Sequence, residues 1–272
     1  MALTSSRTVA SKKATMTVEE LHKLFKTTKE LPPIRGFKLG VASKEDGGKT
    51  HFSLTPKGDI YFIDIESESR TVVEKFPDDV KDRLYIFDVV EMMKERKKVM
   101  TSDDILNEVE NIISTLKDYA IANPDIKATI VIDSDTNLWA RYNNWLTEQT
   151  DLVRSKNTGK MIRTEYGRIN KRHSELRDNL RMTGWNVIIT GRSYPSYDNS
   201  GGIIPDVYNP RWQGEIPGWV DVWGELKMMN GKRTFIIKRC RYDHTLAGLT
   251  VEEPTYEKVK DFFCARTGMT IV

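Results

Sequence analysis

The sequence predicts an α/β domain with a largely parallel central sheet, helices on both of its faces, and a β-hairpin near the C-terminus. Three observations carry that expectation. Apolar runs of strand length end in acidic or polar residues and alternate with helix-patterned segments, as βαβ units require. A glycine-containing loop, Ser43-Lys44-Glu45-Asp46-Gly47-Gly48-Lys49-Thr50, directly follows the first of those runs. Two β-rich runs, 220–229 and 233–241, flank Asn230-Gly231, the strongest short turn signal in the chain.

Composition narrows the class. The 272 residues are 39% hydrophobic and 30% charged with a net charge of +3, which suits a globular domain with extensions. No apolar run approaches the roughly 20 residues of a membrane span. The N-terminal residues show no apolar signal segment. Cys240 and Cys264 suggest neither a disulfide framework nor a cysteine metal site. A cytoplasmic location is expected. Residues 1–32 read as a flexible basic extension. Within it Thr17–Phe25 forms a short helix begun by a Thr17/Glu20 capping box. Its Leu21, Leu24 and Phe25 would pack on the domain or on a neighbouring subunit. Pro32-Pro33 mark the entry to the folded domain, 33–272.

The elements follow in order. Phe37–Ala42 is a buried strand. In the loop after it, Gly47 and Gly48 let backbone N–H groups curl around a phosphate. Lys49 reaches the β- and γ-phosphates, and the Thr50 hydroxyl suits Mg²⁺. GGKT alone also occurs in surface turns; the strand before it and the run Asp59–Asp64 after it favour the phosphate site. Arg83–Val90 is a third strand, and 94–98 a solvated charged segment. Ser102 caps an amphipathic helix, Asp103–Ala120, in which Ile105, Leu106, Val109, Ile112, Ile113 and Leu116 recur at helical spacing. Ala128–Asp133 is an apolar strand that carries Asp133 to its end, where a carboxylate can serve a Mg²⁺ shell beside Thr50.

Trp139, Tyr142, Trp145 and Leu146 recur at helical spacing and read as a core or interface stripe. Residues 153–163 read as a polar, basic loop. Glu165–Met182 is a second long helix. Tyr166, Ile169, His173, Leu176 and Leu180 lie on one face, while Arg168, Lys171, Arg172, Arg177 and Arg181 lie on the other, which is solvated or faces phosphates. Trp185–Thr190 is the next strand and leads into Gly191-Arg192. Ser193–Pro217 is aperiodic and rich in Gly, Pro, Tyr and Asn, as a functional or disordered loop would be. After the hairpin, which ends in Lys238-Arg239-Cys240-Arg241, Pro254–Phe263 forms a terminal helix.

Together, FKLGVAS with GGKT, then YFIDIE, ATIVIDSDTNLW, WNVIITGR and the basic hairpin resemble the RecA/RadA-type P-loop ATPase core. The likeness is greatest to the minimal RecA-like ATPases and recombinases of phages and archaeal viruses, and it covers about Pro33 to Phe263. The resemblance implies ATP and Mg²⁺ as ligands, held by the loop Ser43–Thr50 with Lys49 on the phosphates and Thr50 and Asp133 on the metal. It implies Glu66 as the residue that orients or deprotonates water. Arg192 stands where the family has a phosphate-sensing Gln, either as sensor or as a charged finger, and Ser43 stands in place of the first loop Gly. The family's DNA-binding loop corresponds to Ser193–Pro217. There Tyr194, Tyr197 and Tyr208 either stack on bases or simply pack the loop, with Arg192 and Arg211 near the nucleic-acid backbone. Lys238, Arg239 and Arg241 resemble cations that reach a neighbouring subunit's nucleotide. The expected function is a Mg-dependent ATPase that binds single-stranded DNA and assembles on it as a homo-oligomer or filament, in recombination, annealing or repair. The alternative is a nucleotide-binding switch with weak hydrolysis that recruits a replication or recombination partner.

Overall fold

A computed structural model describes residues 36–148 and 166–271. The expected helix at Thr17–Phe25, the boundary near Pro33 and the loop 153–163 lie outside the described residues. The first apolar run becomes β1 (Lys38–Ser43), and the glycine loop leads into a short helix, α1 (Lys49–Ser53). β2 (Asp59–Asp64) follows, then two one-turn helices that periodicity does not announce, α2 (Arg70–Val73) and α3 (Asp78–Lys81).

β3 (Leu84–Asp88) stops before its apolar run does. The Asp88 carboxylate accepts the N–H groups of Val90 (2.9 Å) and Glu91 (3.0 Å), so Val89 and Val90 open a helix, α4 (Val89–Glu95), instead of extending the strand. The long amphipathic helix is α5 (Ser102–Ala122). Its cap is Thr101 rather than Ser102: Thr101 accepts the Asp104 N–H, and Asp104 accepts the Thr101 N–H in a reciprocal box. Ser102 is instead a buried first residue that donates to Glu148 at 2.8 Å.

β4 (Ala128–Asp133) is buried along its whole length. The aromatic stripe forms α6 (Asp135–Glu148), whose Leu138, Tyr142 and Leu146 are core residues. α7 (Tyr166–Met182) buries Ile169, His173, Leu176 and Leu180, while Tyr166 stays exposed. Its basic face is not a free phosphate surface. Arg172 donates to Glu110 (2.7 Å) and Asp103 (2.9 Å), and Arg177 is buried against Glu215.

The largest departure from the sequence reading comes next. β5 (Asn186–Tyr197) continues seven residues past Thr190, and β6 (Ile203–Pro210) pairs back on it antiparallel. Much of the supposed loop 193–217 is therefore a second hairpin, followed by a one-turn helix, α8 (Ile216–Trp219). The expected hairpin at Asn230-Gly231 is β7 (Val222–Met229) and β8 (Lys232–Cys240). A short β9 (Thr250–Glu252) edges it, and α9 (Tyr256–Thr267) ends the domain.

The strand order is β3-β2-β4-β5-β1-β7-β8-β9, with β6 on the extension of β5. Strands β3 through β7 along that order run parallel, and β8 and β9 antiparallel. Both faces are covered, which is why β4 and the first half of β5 read as unbroken apolar runs. On one face, Ile130, Ile132, Val187 and Ile189 pack with residues of α5, α6 and α7. On the other, Leu39, Val41, Phe62 and Ile188 pack with Phe52 and with Tyr256, Val259 and Phe263 of α9. Each such side chain contributes roughly 1.5–3 kcal/mol relative to exposure. No helix among the described residues is long and apolar enough to cross a membrane.

Candidate functional site

β1 and β4 are not neighbours; β5 lies between them. The loop after β1, Asp133 at the end of β4 and Arg192 on β5 therefore converge beyond the carboxyl ends of parallel strands, where α/β sheets place ligands. Ser43 pairs in register with Arg192. The loop turns through Asp46 (φ 56°) and Gly48 (φ 87°), both left-handed. A Cβ on residue 47 would collide with Ser43 Oγ, so the serine fills the space that Gly47 leaves. Lys49 bends back over the loop, donating to the Lys44 carbonyl (3.3 Å) and Ser43 Oγ (3.4 Å).

Lys49 is only 8% exposed, and burial pushes its pKa below 10.5 while Asp133 and Glu66 pull it up. Thr50 Oγ1 donates to Asp133 Oδ2 at 2.7 Å, and the Thr190 hydroxyl donates to Asp133 Oδ1. Burial raises the Asp133 pKa against these two hydrogen bonds. A threonine hydroxyl and a buried carboxylate in contact are the hard oxygen donors that suit Mg²⁺, which keeps several waters and needs few protein ligands. The residues present fit that ion.

Glu66 sits just past β2, and its carboxylate is enclosed. It accepts from Ser134 Oγ and from Arg192, whose Nε lies 3.0 and 3.1 Å from the two oxygens and whose Nη2 also donates. Arg192 additionally meets Glu45 and Glu68, each at 3.4 Å. The Glu66 hydrogen bonds, together with these charges, raise the guanidinium pKa. Sequence reasoning missed what holds Glu66 in place. Asp64, the last residue of β2, accepts the N–H groups of Glu66 (3.1 Å), Ser67 (2.6 Å) and Ser69 (3.0 Å) and the Ser69 hydroxyl. In the run FIDIES it is the first acid that shapes the turn and the second that enters the site. An open cavity of about 720 Å³ joins loop residues Gly48 to His51 with Glu66, Asp133, Arg192 and Arg233.

The family model of the AAA domain matches residues 35–244. The chain belongs to the AAA-domain family. It is a P-loop ATPase, as the motif order implied. No curated protein sequence matches it. Among solved structures, the RadB recombinase is similar over 80% of this chain and 87% of its own, with 14% identity and a TM-score of 0.45. A KaiC-like protein of the hyperthermophilic archaeon Pyrococcus horikoshii is similar over 80% and 85%, with 16% identity and a TM-score of 0.44.

In this AAA domain the expected DNA-contact and interface residues have the following surroundings. The ring of Tyr208 is covered by the Lys44 ammonium at 3.8 Å, and that of Tyr194 by the Arg211 guanidinium at 4.4 Å. Both are packed against their own chain, whereas Tyr197 is 57% exposed near the hairpin tip. Lys238 pairs with the buried Glu225 at 3.3 Å, and Arg239 donates to the Pro217 carbonyl. Neither they nor Arg241 line the cavity around the phosphate loop. Among the lining residues that went unnoticed in the sequence are His51 and Arg233, because neither belongs to a motif.

The lowered Lys49 pKa has a measurable consequence. Binding to phosphate needs the ammonium, and burial favours its loss. The affinity of the AAA domain for ADP should therefore be flat at neutral pH and begin to fall on the alkaline side before pH 10.5, by about tenfold per pH unit once Lys49 has titrated. A pH series of equilibrium titrations checks this; an affinity unchanged up to pH 10.5 would assign the phosphate charge to another group.

Proposed function

We propose that this AAA domain hydrolyses ATP with Mg²⁺ and couples the reaction to binding and assembly on single-stranded DNA. Amides of loop 43–50 and Lys49 hold the β- and γ-phosphates, while Thr50 and Asp133 hold the metal. Bound there, Mg²⁺ would supply positive charge against the charge that develops on the phosphate oxygens. Glu66 orients water in line with the γ-phosphorus and accepts its proton as the bond to the β-γ bridging oxygen breaks, giving ADP and phosphate. Arg192 both fixes Glu66 and lies ready to neutralise charge on the transferred group.

The observation that carries the coupling is the continuity of β5. One strand runs from Arg192 in the site to Tyr197 on the exposed hairpin, with Arg192 N–H donating to Thr136 at 2.9 Å. The Lys44–Tyr208 contact ties the same hairpin to the phosphate loop from its other strand. Assembly would bring Lys238, Arg239 or Arg241 to another copy's nucleotide, since their own is out of reach. A nucleotide-dependent switch with weak hydrolysis is the second reading. What favours it is that Glu66 is already occupied by Arg192 and Ser134.

The test is fluorescence anisotropy of a labelled single-stranded oligonucleotide with a non-hydrolysable ATP analogue, followed in parallel by light scattering. Binding should be tighter with the analogue and weaken with salt. Tyr197→Ala should lower affinity about 5- to 100-fold, the range for one lost base stack. Scattering should report complexes larger than one subunit. No binding with or without the analogue overturns the DNA reading, and a persistent monomer overturns assembly.

A further inference from the structure

Arg233, the second residue of β8, brings a guanidinium to the phosphate loop from the C-terminal hairpin. It lies directly against Gly48: a Cβ there would stand 2.6 Å from Cζ, 2.7 Å from Nε and 2.9 Å from Nη2 of Arg233. Residue 48 is held to glycine by its left-handed backbone. The Arg233 Nε is buried without a hydrogen-bond partner, and among the described residues no carboxylate pairs with this guanidinium. Arg192, by contrast, is met by three carboxylates. A buried charged donor without an acceptor is costly, and phosphate oxygens are acceptors that match a guanidinium fork.

Arg233 also lines a second pocket beside the phosphate loop, with Lys44, Gly47 and Tyr208, that Glu66, Asp133 and Arg192 do not reach. Glu66 and Arg192 mark the end where water attacks, so Arg233, which extends to the side they do not line, marks the other.

We propose that Arg233 is a nucleotide-binding residue supplied by the hairpin of the same chain, holding the α- and β-phosphate end of the nucleotide whose γ-phosphate faces Glu66 and Arg192. This rests on the reading of loop 43–50 as a nucleotide site. It makes the β7–β8 hairpin part of the site, so that nucleotide of either phosphorylation state restrains it.

The experiment compares Mg·ADP and a Mg-bound non-hydrolysable ATP analogue in equilibrium titrations of the wild type, Arg233→Ala and Arg233→Lys. Arg233→Ala should lower affinity for both by about 10- to 100-fold, and equally, because both carry the phosphates it holds. Arg233→Lys should recover part of the loss. In turnover assays KM for ATP should rise more than kcat falls, which mere loosening of the hairpin would not produce. If the alanine variant does not fold, Arg233→Gln, which keeps length against Gly48 and removes the charge, replaces it in the same comparison. Wild-type affinity for both nucleotides in the uncharged variant overturns the proposal, as does loss of the ATP analogue alone, which would put Arg233 at the γ-phosphate. A wild-type protein that binds neither nucleotide fails differently, removing the nucleotide reading itself.

Discussion

Lys49→Ala should abolish measurable ATP turnover, by on the order of 10²–10³-fold or more, the scale for removing one preorganised charge stabiliser. The domain should nevertheless fold. Burial already opposes the charge on Lys49, so folding gains nothing from the ammonium itself, and its partners are a hydroxyl and a carbonyl rather than a carboxylate. Thermal melting within a few degrees of wild type, with phosphate release lost, is the expected pair of results. Turnover surviving in the variant would remove the loop from the mechanism.

Glu66→Gln should separate binding from chemistry. The substitution keeps the side chain's size and its contact with Ser134, and it removes the base. Turnover should fall about 10²–10⁴-fold, the usual contribution of a positioned general base. Affinity for Mg·ATP should change only a few-fold, because Glu66 is not among the groups holding phosphate or metal. Arg192 keeps Glu45 and Glu68, both largely exposed, so it is not left as a lone buried cation. Single-turnover measurement beside an equilibrium titration makes the distinction. Unchanged turnover would pass the role to Glu68, and lost binding would make Glu66 a structural residue.

The chain states its phosphate loop and its strand-end acids openly, because those features are local. GGKT, FIDIES and IVIDSD are contiguous, and their chemistry depends on residue type and on a strand that stops. The Asn230-Gly231 turn and the long helix α5 are legible for the same reason. The extension of β5 is not. Pro195 and Gly191 interrupt its pattern, Pro205 and Pro210 interrupt β6, and the pairing that makes both strands is decided between segments rather than within either. Helix α7 shows a second limit. A one-sided basic face looks free in sequence, yet Arg172 and Arg177 find acids that lie 62 and 38 residues away. Arg233 marks a third. Nothing about KRTF distinguishes a surface arginine from one laid against Gly48, since that contact exists only once β7 has docked beside β1. Lys238 and Arg239, adjacent in the chain and both basic, turn out to serve a buried glutamate and a backbone carbonyl.

Phosphate release from ATP by the wild-type protein, measured with and without Mg²⁺ and with and without single-stranded DNA at one fixed salt concentration, bears most directly on the central claim. Expected is Mg-dependent release that single-stranded DNA accelerates and that Lys49→Ala eliminates. Release no faster than in Lys49→Ala, or a rate indifferent to DNA at concentrations that saturate binding, would contradict it.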